Sequence, residues 1–142
     1  MDKTIGIILI IGFIGFQACK KDDEVLTNHQ LLAGTTADGK SWVIASQSLN
    51  GDPVTIGSCI ADDVTSFYLS LIYIFDEGSQ KCSADDPQTI TGGWVFEEND
   101  TRLLISNGPD ITDFEIVSLT ADELILKAQF LDLETVITFN PL

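Results

Sequence analysis

Basic side chains are scarce in this chain: seven Lys and Arg stand against 22 Asp and Glu, a formal net charge of −15. That balance excludes nucleic acid as a partner, which needs a basic footprint, and it opposes docking on anionic lipid headgroups. Histidine is limited to His29. There is no Cys-x-x-Cys pair, no clustered metal-ligand motif and no Gly-rich phosphate loop. No nucleophile stands beside a base. Carboxylates adjoin one another only in Asp-Asp, Asp-Glu and Glu-Glu runs of the kind that solvent surrounds. Neither catalysis nor a bound cofactor is expected. A long helical period is also missing, which excludes βαβ units and a parallel sheet.

What is present begins with an address. Asp2-Lys3-Thr4 is a short n-region, and Ile5 to Phe16 is apolar. That run is short of the ~20 residues of a spanning helix and has the length of a signal-peptide core. It closes with Gln17-Ala18-Cys19, which resembles the lipobox of bacterial lipoproteins, with Phe16 and Gln17 at its Leu and Ser/Ala positions. Lys20-Lys21-Asp22-Asp23-Glu24 follows, and resembles the export signal of surface-exposed lipoproteins in Bacteroidetes-type bacteria. An ordinary secretory signal with an incidental cysteine is the plainer alternative, and the charged run disfavours it. The resemblance implies a signal peptide over 1–18, lipidation at Cys19, an acylated acidic tether over 19–26 and a folded domain over 27–142. It implies a protein held at the outer membrane, on the cell surface, through its lipid anchor. The signal peptide takes Asp2 and Lys3 with it, so the mature chain keeps the charge of −15.

Removing Cys19 leaves Cys59 and Cys82. Outside the cytoplasm an even pair reads as a disulfide, with two buried thiols as the alternative. The β-rich run from Val64 to Phe75 lies between them. If it folds back on itself, with strands near 64–69 and 72–76 and a turn at Ser70-Leu71, both cysteines fall at the open end of one hairpin. Closing such a loop stabilises by about 3 kcal/mol in the chain-entropy account.

Thr27-Asn28-His29-Gln30 is a capping pattern, and with Leu31, Leu32 and Gly34 it predicts one short helix over 28–33 with His29 solvated. Trp42 opens the first strand. Asn50-Gly51-Asp52-Pro53 is a turn, and Val54-Thr55-Ile56 a short edge strand. From Gly92 onward, alternation marks strands through Trp94 and Phe96, through Leu103, through Phe114 and Ile116, through Leu124, Leu126 and Phe130, and through Ile137 and Phe139. About eight strands joined by short turns predict an all-β fold: an eight-stranded antiparallel up-and-down barrel with a short N-terminal helix. A β-sandwich is the alternative.

The same residues resemble a lipocalin-like domain of Bacteroidetes outer-membrane lipoproteins. The matching features are Leu31-Leu32-Ala33-Gly34, Trp42, Cys59 with Asp62-Asp63, Gly78 and Cys82. Gly92-Gly93-Trp94-Val95-Phe96 follows, then Ile116 through Leu119-Thr120 to Leu124. Together they span about residues 31–139. Where that family turns its first hairpin with Asp-Gly, this chain has Ser70-Leu71. The resemblance implies a lipocalin-like barrel able to take a small ligand, apolar or cationic given the chain's charge.

The candidate barrel interior is Trp42, Phe67, Phe75, Trp94, Phe96, Phe114, Leu124, Leu126 and Phe130. The doubled Cys-x-Ala-Asp-Asp places Asp62, Asp63, Asp85 and Asp86 on one rim if the disulfide forms. Such a quartet suits a hard cation such as Ca²⁺; two solvated Asp-rich turns are the favoured alternative. The competing function is a surface interaction module: a barrel filled by its own side chains, binding a protein or glycan through its loops.

Overall fold

The computed structural model describes residues 25–142. The expected signal peptide, the expected lipidation site Cys19 and the expected tether as far as Glu24 lie outside the described residues.

The chain enters through helix α1, Asn28–Ala33, whose start is a complete capping box: Gln30 N donates to Thr27 Oγ1, and Thr27 N to Gln30 Oε1. These two bonds satisfy N–H groups that a helix start leaves unpaired. Strand β1, Lys40–Leu49, ends in a turn where Asn50 and Gly51 both take positive φ, 50° and 86°. The rest follows in order: β2 Asp52–Val54, helix α2 Ser58–Ala61, β3 Val64–Phe67, β4 Ile72–Asp76, β5 Thr89–Glu97, β6 Arg102–Asn107, β7 Asp110–Leu119, β8 Leu124–Phe130 and β9 Leu133–Pro141.

Every pairing is antiparallel between neighbours in the order β1-β3-β4-β5-β6-β7-β8-β9, and β9 pairs back to β1. That last ladder closes an eight-stranded barrel and leaves no open sheet, so the sandwich alternative falls. The ninth strand, β2, lies outside the ring. It pairs with Gln47–Leu49 of β1, while β3 pairs with Lys40–Val43 of the same strand. The expected edge strand thus sits two residues earlier, at Asp52–Val54. It holds Pro53, which an edge position tolerates. Single-residue bulges interrupt β1 between Ile44 and Ser46 and β7 between Ile116 and Ser118. Each shifts the pairing by one residue, leaving Ala45 and Val117 without a partner across these ladders.

Alternation decides the core. Trp42, Phe67, Trp94, Leu103, Leu124 and Leu126 are buried and pack with Leu32 and Ala33 of α1. Both indoles are anchored: Trp42 Nε1 donates to Leu32 O at 2.9 Å and Trp94 Nε1 to Tyr68 O at 3.0 Å. Burying an indole N–H without a partner would offset much of what its ring contributes. Gly92 on β5 stands close against the backbone of β6. A Cβ there would lie 1.9 Å from Ser106 O, so only glycine lets the two backbones approach.

An antiparallel ring places its connections alternately at two ends. One end is closed by α1. There, Lys40 Nζ donates to Leu31 O and Ala121 O, and Asn28 Nδ2 to Asp100 Oδ2, tying the helix to the β5–β6 and β7–β8 turns. The other end gathers the β1–β3 connection with α2, the β4–β5 loop, the β6–β7 turn and the β8–β9 turn.

Four local expectations are corrected. The first hairpin turns over Tyr68 to Leu71, not Ser70-Leu71 alone. Leu71 N donates to Tyr68 O, Tyr68 N to Ile72 O, and Leu71 takes φ 65°, so β3 ends at Phe67. Helix α2 was not expected; its single turn follows Gly57 and carries Cys59. His29 is not a solvated helix residue: its ring lies 5.4 Å from that of Trp94 and 5.0 Å from that of Phe96. Phe130 is not in the interior; it is 76% exposed. Strand β8 leaves β7 after the Glu115↔Lys127 pair, and its last three residues pair only with β9. Beyond that point β7 no longer flanks the strand that carries Phe130.

Candidate functional site

Of the other expected interior residues, Trp42, Phe67, Trp94, Leu124 and Leu126 are buried, and Phe96 and Phe114 are half-buried against them. Phe75 pairs with Thr65 on the inner side of the hairpin, half-buried and outside the main cluster. Tyr73, not foreseen, packs its ring 5.7 Å from Phe67, and burial pushes its phenol up to about 12. The signal for it was available: Tyr73 and Phe75 alternate on one strand.

These side chains leave little space. An interior cavity here has a volume of about 40 Å³, and Trp42, Thr65, Phe67, Ile105 and Phe114 contribute to its apolar wall. An apolar cavity that admits benzene is about 150 Å³. Around this cavity the interior is packed by the protein's own side chains.

Polar chemistry collects at the open end, around the Cys59–Cys82 disulfide, whose Cα atoms are 5.0 Å apart. The bond ties α2 to the β4–β5 loop across the foot of the β3–β4 hairpin, as expected. Beside it, Asp62 Oδ2 accepts from Ser79 N at 2.6 Å, Ser79 Oγ at 2.7 Å and Gln80 N at 3.2 Å. These bonds, first of all that of the Ser79 hydroxyl, hold the Asp62 carboxyl below its ordinary range. Gly78 makes this contact feasible: its φ is 61°, and a Cβ there would lie 2.6 Å from the Asp62 carboxyl carbon. Asp76 Oδ1 accepts from Gly78 N and Gln88 Nε2, both at 2.9 Å, latching the other side of the loop.

Asp63 is the opposite case. Burial, with Glu77, Asp62 and Asp76 around it, raises its carboxyl to about 6. Asp62 Oδ1, Asp63 Oδ1 and Glu77 Oε2 are buried and have no hydrogen-bond partner within the protein.

The acidic group that forms is thus Asp62, Asp63, Asp76 and Glu77. Asp85 and Asp86 do not complete the expected quartet. Lys81 Nζ donates to the main-chain carbonyl of Asp86, and the Ser83 hydroxyl accepts from Asp85 N. Among the described residues no three His, Cys, Asp or Glu side chains form a group able to hold a metal ion. Sequence spacing emphasised the repeated Ala-Asp-Asp; the Val64↔Asp76 pairing instead brings Asp76 and Glu77 beside Asp62-Asp63.

The four cationic side chains of residues 25–142 are all engaged. Arg102 pairs with Asp113 at 2.7 Å and Lys127 with Glu115 at 2.8 Å on the outer wall. Lys40 holds α1 and lies 4.0 Å from the centre of the Trp42 ring, and Lys81 is bound within its own loop. The open end is left acidic.

No protein-family model matches the chain, and the search of curated proteins finds no similar sequence. The site is therefore read from its own geometry.

Proposed function

We propose that this protein is a lipid-anchored, lipocalin-like barrel of the bacterial outer membrane, displayed at the cell surface, whose barrel is a scaffold and whose open end recognises another protein. The observation that carries this reading is the interior cavity of about 40 Å³, too small for a lipocalin-sized ligand. Of the two functions weighed from sequence, the surface interaction module fits that volume and the small-ligand carrier does not. The lipobox-like end at Ala18-Cys19 and the charged Lys21-Asp22-Asp23-Glu24 support the address. The disulfide supports an oxidising compartment.

Native mass spectrometry of gently purified mature protein tests the reading. The expected mass is the polypeptide with its acyl chains and one disulfide. A retained small apolar molecule, released on unfolding, would overturn the scaffold reading in favour of a lumen ligand. Metabolic fatty-acid labelling of wild type and Cys19→Ala tests the anchor, with equal labelling counting against it. Replacing Lys21 to Glu24 by alanine should keep the label yet hide the protein from protease added to intact cells.

A further inference from the structure

We infer that the mouth of the barrel is a docking site for a basic, amphipathic segment of a partner protein, an inference that rests on the recognition-module reading. Its apolar half is the tip of the β8–β9 hairpin. Phe130 is 76% exposed, Leu131 81% and Leu133 46%. Three large apolar side chains in a four-residue turn form a patch, and apolar patches on a monomer mark interaction surfaces.

The tip does not serve the barrel. It lies beyond the last β7–β8 pair, Glu115↔Lys127, and beyond Leu49↔Thr135, where β1 stops. Leu131 also takes φ 55°, a left-handed conformation that costs a branched side chain about 1 kcal/mol and that glycine or asparagine adopts readily. Folding alone would favour a polar turn here. Exposure and a left-handed backbone coincide in this turn, and an observed outlier of that kind points to function.

The patch has a direction. Phe130 pairs with Leu133, and alternation along β8 from Leu124 and Leu126 puts Phe130 on the inward side. Leu49, opposite Thr135, extends the same surface onto β1. The tip is therefore a shelf continuing the inner wall above the mouth. In a ring of eight strands, β8 stands opposite β4. The shelf looks across the mouth toward the end of β4, where alternation from Thr65 and Phe75 puts Asp63 and Glu77 on the inner side and Asp76 on the outer. The only cation in that loop, Lys81, is occupied by the Asp86 carbonyl.

An apolar shelf facing an acidic wall fits a partner with lysines or arginines on one side and aliphatic or aromatic side chains on the other. Charge complementarity selects this occupant over two others. A second copy brings the same −15 charge, and an anionic membrane is repelled by the carboxylates.

The test uses the mature chain and three labelled peptides of equal length: Lys/Leu, Glu/Leu and Lys/Ser, each alternating. The Lys/Leu peptide should bind, at least tenfold more tightly than either other peptide, and should weaken as salt rises. The double variant Phe130→Ser/Leu131→Asn should lose at least tenfold in that affinity while keeping the thermal midpoint and circular-dichroism spectrum of wild type. Undiminished binding by the variant would overturn the inference, as would equal binding of Lys/Ser or Glu/Leu. Co-sedimentation of the acyl-free polypeptide, wild type but not the variant, with phosphatidylcholine–phosphatidylglycerol vesicles would name lipid as the occupant and overturn it too. Failure of the scaffold reading shows separately, as a retained ligand in the native mass, which the tip variant does not influence.

Discussion

Asp62 and Ser79, 17 residues apart, are joined twice: Ser79 N and Ser79 Oγ lie 2.6 and 2.7 Å from the same carboxylate oxygen. With Gln80 N as a third donor, this oxygen is the noncovalent latch of the loop that the disulfide ties covalently. Asp62→Ala should leave the barrel folded and free the loop. The measurement is the rate at which dithiothreitol reduces Cys59–Cys82 in native protein, expected to rise several-fold. An unchanged rate would mean the disulfide holds the loop without help. Because the Asp62 carboxyl is held low, the latch is present above its ordinary range and is lost only as pH falls through the depressed value.

The disulfide itself should matter more. Cys59 and Cys82 are 23 residues apart, and opening a loop of that size costs about 3 kcal/mol in the chain-entropy account. Urea unfolding of Cys59→Ser/Cys82→Ser against wild type reads it, with a lower midpoint and a larger m-value expected. Equal midpoints would place the bond outside the cooperative unit.

Asp63 should carry a pH signature of the opposite sign to Asp62. Its carboxyl is raised to about 6, above its ordinary 3.8, so the folded protein binds the proton more tightly than the unfolded chain. Its contribution favours folding at low pH and is lost as pH rises through about 6. Asp63→Asn removes the buried charge. It should stabilise at pH 7.5 by on the order of 1 kcal/mol, a figure reduced for solvent screening. It should also flatten the stability profile between pH 7 and 5. A variant less stable than wild type at pH 7.5 would refute this account.

Gly92→Ala should be among the most damaging small substitutions in the sheet. The added carbon meets a backbone carbonyl, Ser106 O, at 1.9 Å, and backbone cannot swing aside as a side chain can. Separating β5 from β6 at the Gly93↔Ser106 pair should cost about 2 kcal/mol or more, by analogy with overpacked cores. Gly51→Ala is the control for backbone conformation, since its φ is 86° but no atom lies within 4 Å of the new carbon. If Gly92→Ala costs no more than Gly51→Ala, the close approach is not what holds glycine there.

What the sequence determined by itself is what local physics governs. A period of two put Trp94 with Phe96 and Leu124 with Leu126 on inner faces, and the structure keeps all four there. Thr27 and Gln30, three residues apart, specified their own capping box. Two remaining cysteines around one β-rich run specified their own bond. Strand order followed because short connections allow little but a meander. Ring closure and its consequences belong to the tertiary structure. Phe130 obeys the same alternation as Leu126, yet it is exposed because β8 separates from β7 after Lys127, a fact held in the register between strands and not in either strand. Asp76 reached Asp63 through the β3–β4 ladder, whereas Asp85 and Asp86, equal to Asp62 and Asp63 in motif, were carried beyond Cys82. His29 reads as polar and solvated on its own helix, and packing α1 over the closed end sets it against two aromatic rings. Side-chain direction is a local property; what a side chain meets depends on how far each strand extends past its neighbours, and only the closed barrel sets those lengths against one another.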